Sequence, residues 1–378
     1  MSSTPGSDPS RVTGAWREGD PAGQRQFLDI GDLALESGRT LPSVRIAYET
    51  WGVRDARSSN AVLILHALTG DSHVTGPAGE GHVSPGWWSD LVGHGRAIDT
   101  DAFFVVAANI LGGCQGTTGP SSTSPDGTPW GSHFPYVTVR DQVRAEVALA
   151  DHLGISRWQG VAGGSAGGMR ALEWAVGYPD RVKKLFLLAT NAAASAEQIA
   201  LSSTQNAAIR GDAYFYKGDY YGENSGPLHG LDIARRMAHI SYRSEYELAQ
   251  RFGRDEQAGE TVADGGRYAV ESYLEHHGEK LVRRFDANSY VVLSDAMNGH
   301  DIGRGRGGIN AALARVSAET LVAGIDSDRL YPLNQQEVLS AGIRRSRQLE
   351  VVTSLYGHDG FLIEHEAIDP LARKLFNT

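Results

Sequence analysis

The sequence predicts a doubly wound α/β sheet, mostly parallel, with a helical insertion between two of its strands. Two observations carry this. Ala61 to Leu65, Phe103 to Ala107, Leu185 to Ala189, Leu321 to Ile325 and Leu349 to Val352 are short, nearly continuous apolar runs. Strands covered by helices on both faces read this way, whereas half-exposed strands alternate. Helical periodicity falls between the runs, and strand–helix alternation is the signature of a parallel sheet wrapped in helices.

Taken in order, the first 26 residues are rich in Ser, Pro, Gly and charge. They lack an apolar stretch, so the expectation is a disordered tail and not a signal peptide. The first part of the core spans 27–194. In it Val44, Ile46 and Tyr48 are separated by Arg45 and Ala47, a partial alternation that predicts a half-exposed antiparallel strand near a sheet edge. A Gly/Ser/Thr/Pro-rich loop follows from Leu111 to Pro135, of a length that is usually functional or disordered. Asp141 to Leu153 reads as a helix with an acidic start, and Met169 to Val176 as another. From 195 to 306 the pattern becomes mainly helical. Leu231, Ala234, Met237 and Ala238 form one stripe, and Val270, Leu274, Leu281 and Phe285 form a second. Ser289 to Leu293 reads as the next buried strand. The core resumes over 307–378.

Composition narrows the function. The 378 residues carry a net charge of −10, with 41% hydrophobic and 21% charged residues. Nucleic-acid binding needs clustered Lys and Arg, and the basic runs Arg283-Arg284, Arg304-Gly305-Arg306 and Arg344-Arg345 are short, scattered and read as solvated surface. The single cysteine, Cys114, cannot form an internal disulfide, which fits a cytoplasmic protein. No run reaches the ~18 apolar residues of a membrane span. For metal, there is neither a His-Glu-x-x-His nor a cysteine pair, so no metal site is expected, and Glu275-His276-His277 reads as a solvated helix face. Gly303 to Gly308 matches Gly-x-Gly-x-x-Gly, but too late in the chain to open a first dinucleotide-binding unit.

Gly163-Gly164-Ser165-Ala166-Gly167 follows apolar Val161-Ala162 and precedes a helical run. Strand, sharp turn and helix around a central Ser make a nucleophile elbow. A Ser nucleophile needs a base and an orienting acid. His358 lies after the last apolar run, and both Asp326 and Asp328 lie after the run before it, beyond strand ends where α/β sheets place their chemistry. Spacing alone does not choose between the two acids. An oxyanion hole would take one backbone N–H from Ala166 and another from the loop His66 to Asp71, where Leu68 is the candidate.

These residues lie in longer strings: His66 to Asp71, Asn109 to Gly116, Gly163 to Trp174, Ser327-Asp328-Arg329-Leu330-Tyr331-Pro332 and Gly357 to Leu362. Over roughly 40–375 the chain resembles the homoserine O-acyltransferases, in particular the homoserine O-acetyltransferases of the α/β-hydrolase fold. The resemblance implies an α/β-hydrolase fold with a helical lid, a homodimer, and acetyl transfer from acetyl-CoA, as co-substrate and not cofactor, to L-homoserine in methionine biosynthesis. It selects Asp328 as the acid. It implies that Arg235 binds the substrate carboxylate, that Tyr242 lies nearby, and that Asp359 holds the ammonium. Ala166 departs from the bulkier residue common after the nucleophile, which touches the acyl pocket. A succinyl donor, a serine esterase of the same fold and a noncatalytic scaffold are the alternatives. The full Ser165, Asp328 and His358 set argues against the scaffold.

Overall fold

The computed structural model describes residues 12–377. Its main sheet has eight strands: β1 (Gln26–Ala34), β2 (Thr40–Trp51), β3 (Ala61–Leu65), β6 (Phe104–Ala108), β7 (Gly160–Gly164), β8 (Lys184–Leu188), β9 (Glu319–Ile325) and β10 (Glu350–Val352). A small separate pair, β4 (Val92–Gly93) and β5 (Ile98–Asp99), lies between β3 and β6 in the chain. The spatial order is β1-β2-β6-β3-β7-β8-β9-β10. β1 and β2 are antiparallel to their neighbours and the rest are parallel. The five apolar runs are all strands. β2 is antiparallel as expected, but β1 lies outside it as the edge.

Helices α1 (Val139–His152) and α2 (Ala166–Gly177) flank the sheet, with α8 (Ile309–Leu313), α9 (Leu333–Gly342), α10 (Gly360–Ile363) and α11 (His365–Phe376) in the C-terminal part. Thr138 caps α1 in a reciprocal box with Asp141, so the acid seen in the sequence is the third residue of the helix, not its cap. Apolar clusters fill both sides of the sheet.

Between β8 and β9 run α3 (Ala196–Arg210), α4 (Leu228–Tyr242), α5 (Glu245–Phe252), α6 (Ala269–Val282) and α7 (Ala287–Asn298). Their stripes, including Leu231, Ala234, Leu281 and Phe285, meet Leu68, Ile110 and Ala166 from the core in one buried cluster. Ser289 to Leu293 is not a strand but part of α7. Asp286 accepts from the Ser289 N–H at 2.9 Å, an N-cap that starts the helix, and α7 is buried nearly all round.

The tail expectation also needs correction; residues 1–11 lie outside the described part, but 12–25 are packed. Val12 and Ala15 are buried, Thr13 donates to Asp286 at 2.7 Å, and the Trp16 N–H reaches the Cys114 carbonyl at 2.9 Å. Gly303 to Gly308 is a turn into α8 whose Arg306 pairs with Glu173.

Candidate active site

β7 ends at Gly164 and α2 begins at Ala166, leaving Ser165 in the tight turn between. Its backbone has φ 55° and ψ −127°, a sparsely populated conformation costing roughly 1–3 kcal/mol. The turn closes only because glycines flank it. A Cβ on Gly163 would sit 2.4 Å from the Gly167 carbonyl carbon, and one on Gly167 would sit 2.0 Å from the Leu65 carbonyl oxygen. The Ser165 N–H bonds the Leu188 carbonyl at 3.0 Å, and Thr190 donates to the Ser165 carbonyl at 2.8 Å. These contacts fix the elbow against the neighbouring strand. Ala166 opens α2, so its N–H belongs to the first helical turn, where no intrahelical acceptor exists.

His358 brings the distant strings together. Its Nε2 lies 2.9 Å from Ser165 Oγ and its Nδ1 lies 2.6 Å from Asp328 Oδ2, with all three side chains buried. Asp328 Oδ1 accepts the N–H groups of Leu330 and Tyr331, both at 2.8 Å, so one oxygen anchors the carboxylate and the other faces the imidazole. Asp326 instead accepts from the Ser354 N–H at 3.0 Å and joins the ends of β9 and β10. The choice that spacing left open is thus settled by position: of the two acids, Asp328 meets His358. Sequence reasoning missed Tyr331 as a site residue. Its ring stacks on His358 at 4.8 Å, and burial raises its phenol pKa.

Leu68 is buried in the loop after β3, beside Ala166 in the shared cluster. Arg170 on α2 reaches the His66 carbonyl at 2.6 Å. A cleft enclosing about 460 Å³, its mouth included, is lined by Leu68, Met169, Gln198, Tyr242, Met297 and Tyr331 among others.

Three helical-layer and loop residues stand beside the Ser165 group. Tyr242, at the end of α4, lies 5.8 Å from the His358 ring. The Arg235 guanidinium lies 5.6 Å from the centre of the Tyr242 ring and 3.4 Å from Thr69 Oγ1, and its Nε has no hydrogen-bond partner. Asp359 follows His358. Burial raises its pKa, against the pull of Arg243, Arg235 and His358. Arg243, absent from the sequence reading, places Nε 3.2 Å from Asp359 Oδ2, yet that N–H is misaligned for a hydrogen bond.

Two basic or histidine-bearing runs read as surface are only half so. Arg283 is exposed, but Arg284 turns inward and donates to the Thr69 carbonyl at 2.7 Å. His276 is exposed, whereas the His277 ring lies tilted against that of His239, centres 4.0 Å apart, and burial lowers its pKa to about 4.

Among the described residues, Glu49, His73 and His82 are close enough to share a metal ion, as are His94, Asp99 and Asp101 on the surface. The buried trio has other uses for its atoms. Glu49 takes Ser72 at 2.6 Å and His73 at 3.0 Å, and His82 Nε2 accepts from the Gln24 N–H at 3.3 Å. It ties the N-terminal segment to β2.

Residues 60–364 match the α/β hydrolase fold family. A homoserine O-acetyltransferase of Thermobifida fusca is 59% identical over 369 residues, covering 97% of each chain. One of Mycobacterium marinum is 54% identical, covering 93% of each. This chain belongs to the homoserine O-acetyltransferase family. It is therefore an enzyme of the acyltransferase kind on an α/β-hydrolase fold. Among solved structures, the family member from Bacillus anthracis superposes with a TM-score of 0.85 at 27% identity, covering 94% of this chain and 97% of that one. Esterase E22 gives the same TM-score at 26% identity, covering 93% and 99%. No helix among the described residues is long and apolar enough to cross a membrane.

Proposed function

We propose that the enzyme moves an acetyl group from acetyl-CoA to the hydroxyl of L-homoserine through an acetyl-Ser165 intermediate, as a step of methionine biosynthesis. The observation that carries the reading is the continuous contact from Ser165 through His358 to Asp328 in a chain of this family. His358 takes the Ser165 proton as Oγ attacks the thioester carbonyl. The N–H groups of Leu68 and Ala166 receive the oxyanion. Collapse expels the thiolate of coenzyme A, which takes the proton from His358. Homoserine then enters, His358 removes its hydroxyl proton as the oxygen attacks the acetyl ester, and collapse of the adduct breaks the bond to Ser165 Oγ, which takes the proton back from His358.

Arg235 grips the homoserine carboxylate, a planar group suited to a guanidinium fork, with Tyr242 as its platform and Asp359 as partner of the ammonium. The cleft residues Leu68, Met169 and Met297 offer an acyl group no cation, which favours acetyl over succinyl. Ala166, smaller than the residue usual there, leaves the N–H intact and widens that space. We assign the enzyme to the cytoplasm, from its single cysteine and its substrates, and to a homodimer built on the helical layer.

The similarity to esterase E22 supports a second reading in which water is the acceptor. One experiment separates them: coenzyme A release from acetyl-CoA and succinyl-CoA, with and without L-homoserine, alongside intact-mass detection of acetyl-Ser165. The proposal expects acetyl-CoA turnover that requires homoserine, and no acetylated protein in Ser165→Ala. Thiol release at the same rate without homoserine would make the enzyme an esterase.

A further inference from the structure

We propose that Arg284 is a positioning residue for the oxyanion hole, fixing and polarising the Leu68 N–H through two intervening peptide units. The inference rests on the reading of Leu68 as an oxyanion donor.

The chain of contacts can be followed atom by atom. Arg284 lies in the turn between α6 and α7, and its Nη1 donates to the Thr69 carbonyl at 2.7 Å. That carbonyl shares a peptide with the Gly70 N–H, which donates to the Ala67 carbonyl at 3.0 Å. The Ala67 carbonyl in turn shares a peptide with the Leu68 N–H. In a trans peptide the C=O and N–H point in opposite directions, so fixing each carbonyl aims the amide behind it. Hydrogen bonds in series also polarise one another, and a charged donor at the head of the series strengthens every later link. The guanidinium charge is thus passed toward the site without Arg284 touching the reacting atoms.

A second donor converges on the same carbonyl. His66 Nε2 accepts from the Ile110 N–H at 3.1 Å, so its proton sits on Nδ1, which donates to Ala67 O at 2.7 Å. Burial lowers the His66 pKa to about 3, which keeps this tautomer neutral. The Ala67 carbonyl therefore accepts two hydrogen bonds, one neutral and one relayed from a cation. Gly70 is required for so tight a loop, because a Cβ there would lie 2.9 Å from His66 Cβ.

Arg284 is itself held. Its carbonyl accepts from Gln115 Nε2 at 2.7 Å, and Gln115 Oε1 accepts from Arg25 at 2.9 Å. No carboxylate forms an ion pair with Arg284 among the described contacts, and burial lowers its pKa, with Asp71 the main opposing charge. A half-buried cation donating to a backbone carbonyl and not to an acid acts chiefly on that backbone. Because Arg284 comes from the helical layer and Leu68 from the loop after β3, the relay couples the placing of that layer to the geometry of the oxyanion hole.

The test uses Arg284→Met, which keeps the volume and loses the donors, and Arg284→Lys, which keeps a cationic donor. Losing a whole oxyanion donor costs about 10²–10³ in kcat, so weakening one should cost about tenfold. Arg284→Met should slow acetylation of Ser165 about tenfold, with the KM for acetyl-CoA within about twofold, and Arg284→Lys should recover most of the rate. The carbonyl stretch of the acetyl-enzyme, formed without homoserine, should move to higher frequency in Arg284→Met. A merely structural role would lower the melting temperature and leave that stretch in place, and that result overturns the proposal. The Leu68 amide resonance separates the two levels of the argument, read with and without a methylboronic acid adduct on Ser165. An adduct shift in wild type that is diminished in Arg284→Met supports the relay. An equal shift in both proteins overturns the relay alone. No shift in wild type removes Leu68 as the donor, and the relay with it.

Discussion

On the proposed reaction, Asp359 must be ionised to hold the homoserine ammonium, and its surroundings make that ionisation delicate. Burial raises its pKa while Arg243, Arg235 and His358 oppose the rise. Arg243 Nε is 3.2 Å from Oδ2, a gross attraction of about 5 kcal/mol at an effective dielectric near 20, much of it offset by desolvation. Since the N–H is misaligned, the carboxylate keeps acceptor capacity for an incoming ammonium. A charge-assisted contact of this kind is worth roughly 1.5–3 kcal/mol, so Asp359→Asn should lower kcat/KM for homoserine about 10- to 150-fold while acetylation of Ser165 is nearly unchanged. In wild type, the KM for homoserine should rise as pH falls through the raised Asp359 pKa, because protonation removes the charge that binds the ammonium. Arg243→Met removes the nearest cation, raises that pKa further and moves the rise to higher pH. Folding already disfavours the ionised carboxylate, so its stability contribution is lost as pH rises through the folded pKa. Asp359→Asn should thus cost little stability at neutral pH, with Glu247 still 3.8 Å from Arg243. The assay is stopped-flow acetylation followed by homoserine-dependent deacetylation across pH. If Asp359→Asn transfers to homoserine normally but acetylates slowly, the residue serves the other substrate. If the Arg243→Met profile coincides with wild type, the charge coupling is wrong.

Two further outcomes test the scaffold. Gly167→Ala puts a Cβ 2.0 Å from the Leu65 carbonyl oxygen, and forcing that contact should cost about 1–3 kcal/mol in urea unfolding and displace Ser165 enough to abolish measurable acetylation; retention of both would mean the elbow yields more readily than its packing implies. His300 is buried and its pKa is lowered to about 4, chiefly by burial, so the unfolded chain takes up a proton near pH 6.5 that the folded chain refuses until about pH 4. Its stability contribution is present above that window and lost as pH falls through it. His300→Gln should flatten the fall in unfolding free energy between those values by up to one proton, and an unchanged slope refutes the assignment.

What was legible in the sequence follows the range of the forces involved. The buried strands announce themselves because each carries its apolar pattern locally, and the elbow because glycine spacing is a steric requirement of the turn. The order Ser165, acid, His358 could be read from loop positions. Spacing could not decide between Asp326 and Asp328, which depends on which carboxylate meets an imidazole from another strand; only the resemblance of the string around Asp328 pointed to it. Ser289 to Leu293 misled because a short apolar run has the same letters in a buried strand and a buried helix. Asp286, three residues earlier, was the available signal as an N-cap. Residues 12–25 read as disordered because the partners that order them, Cys114, Phe285 and Asp286, lie roughly 100 to 270 residues away. Arg243 and Arg284 were invisible for a similar reason. Adjacent arginines look alike in sequence, yet Arg283 faces water and Arg284 faces the Thr69 carbonyl.

Those long-range partners also bear on why a hydrolase elbow would serve transfer instead of hydrolysis. Water is present at high concentration, so an acetyl-enzyme survives only if the deacetylating geometry waits for the intended acceptor. On the proposed reaction the helical layer supplies Arg235 and Tyr242 to the acceptor, and Arg284 reaches the Thr69 carbonyl behind the loop that follows β3. The N-terminal segment joins the same structure through Thr13 on Asp286, and Arg25 through Gln115. The proposed acceptor contacts and the loop that carries Leu68 are therefore braced by one layer. On the proposed reaction, selectivity for homoserine over water would then rest on how residues of this layer hold the acceptor hydroxyl beside the acetyl ester.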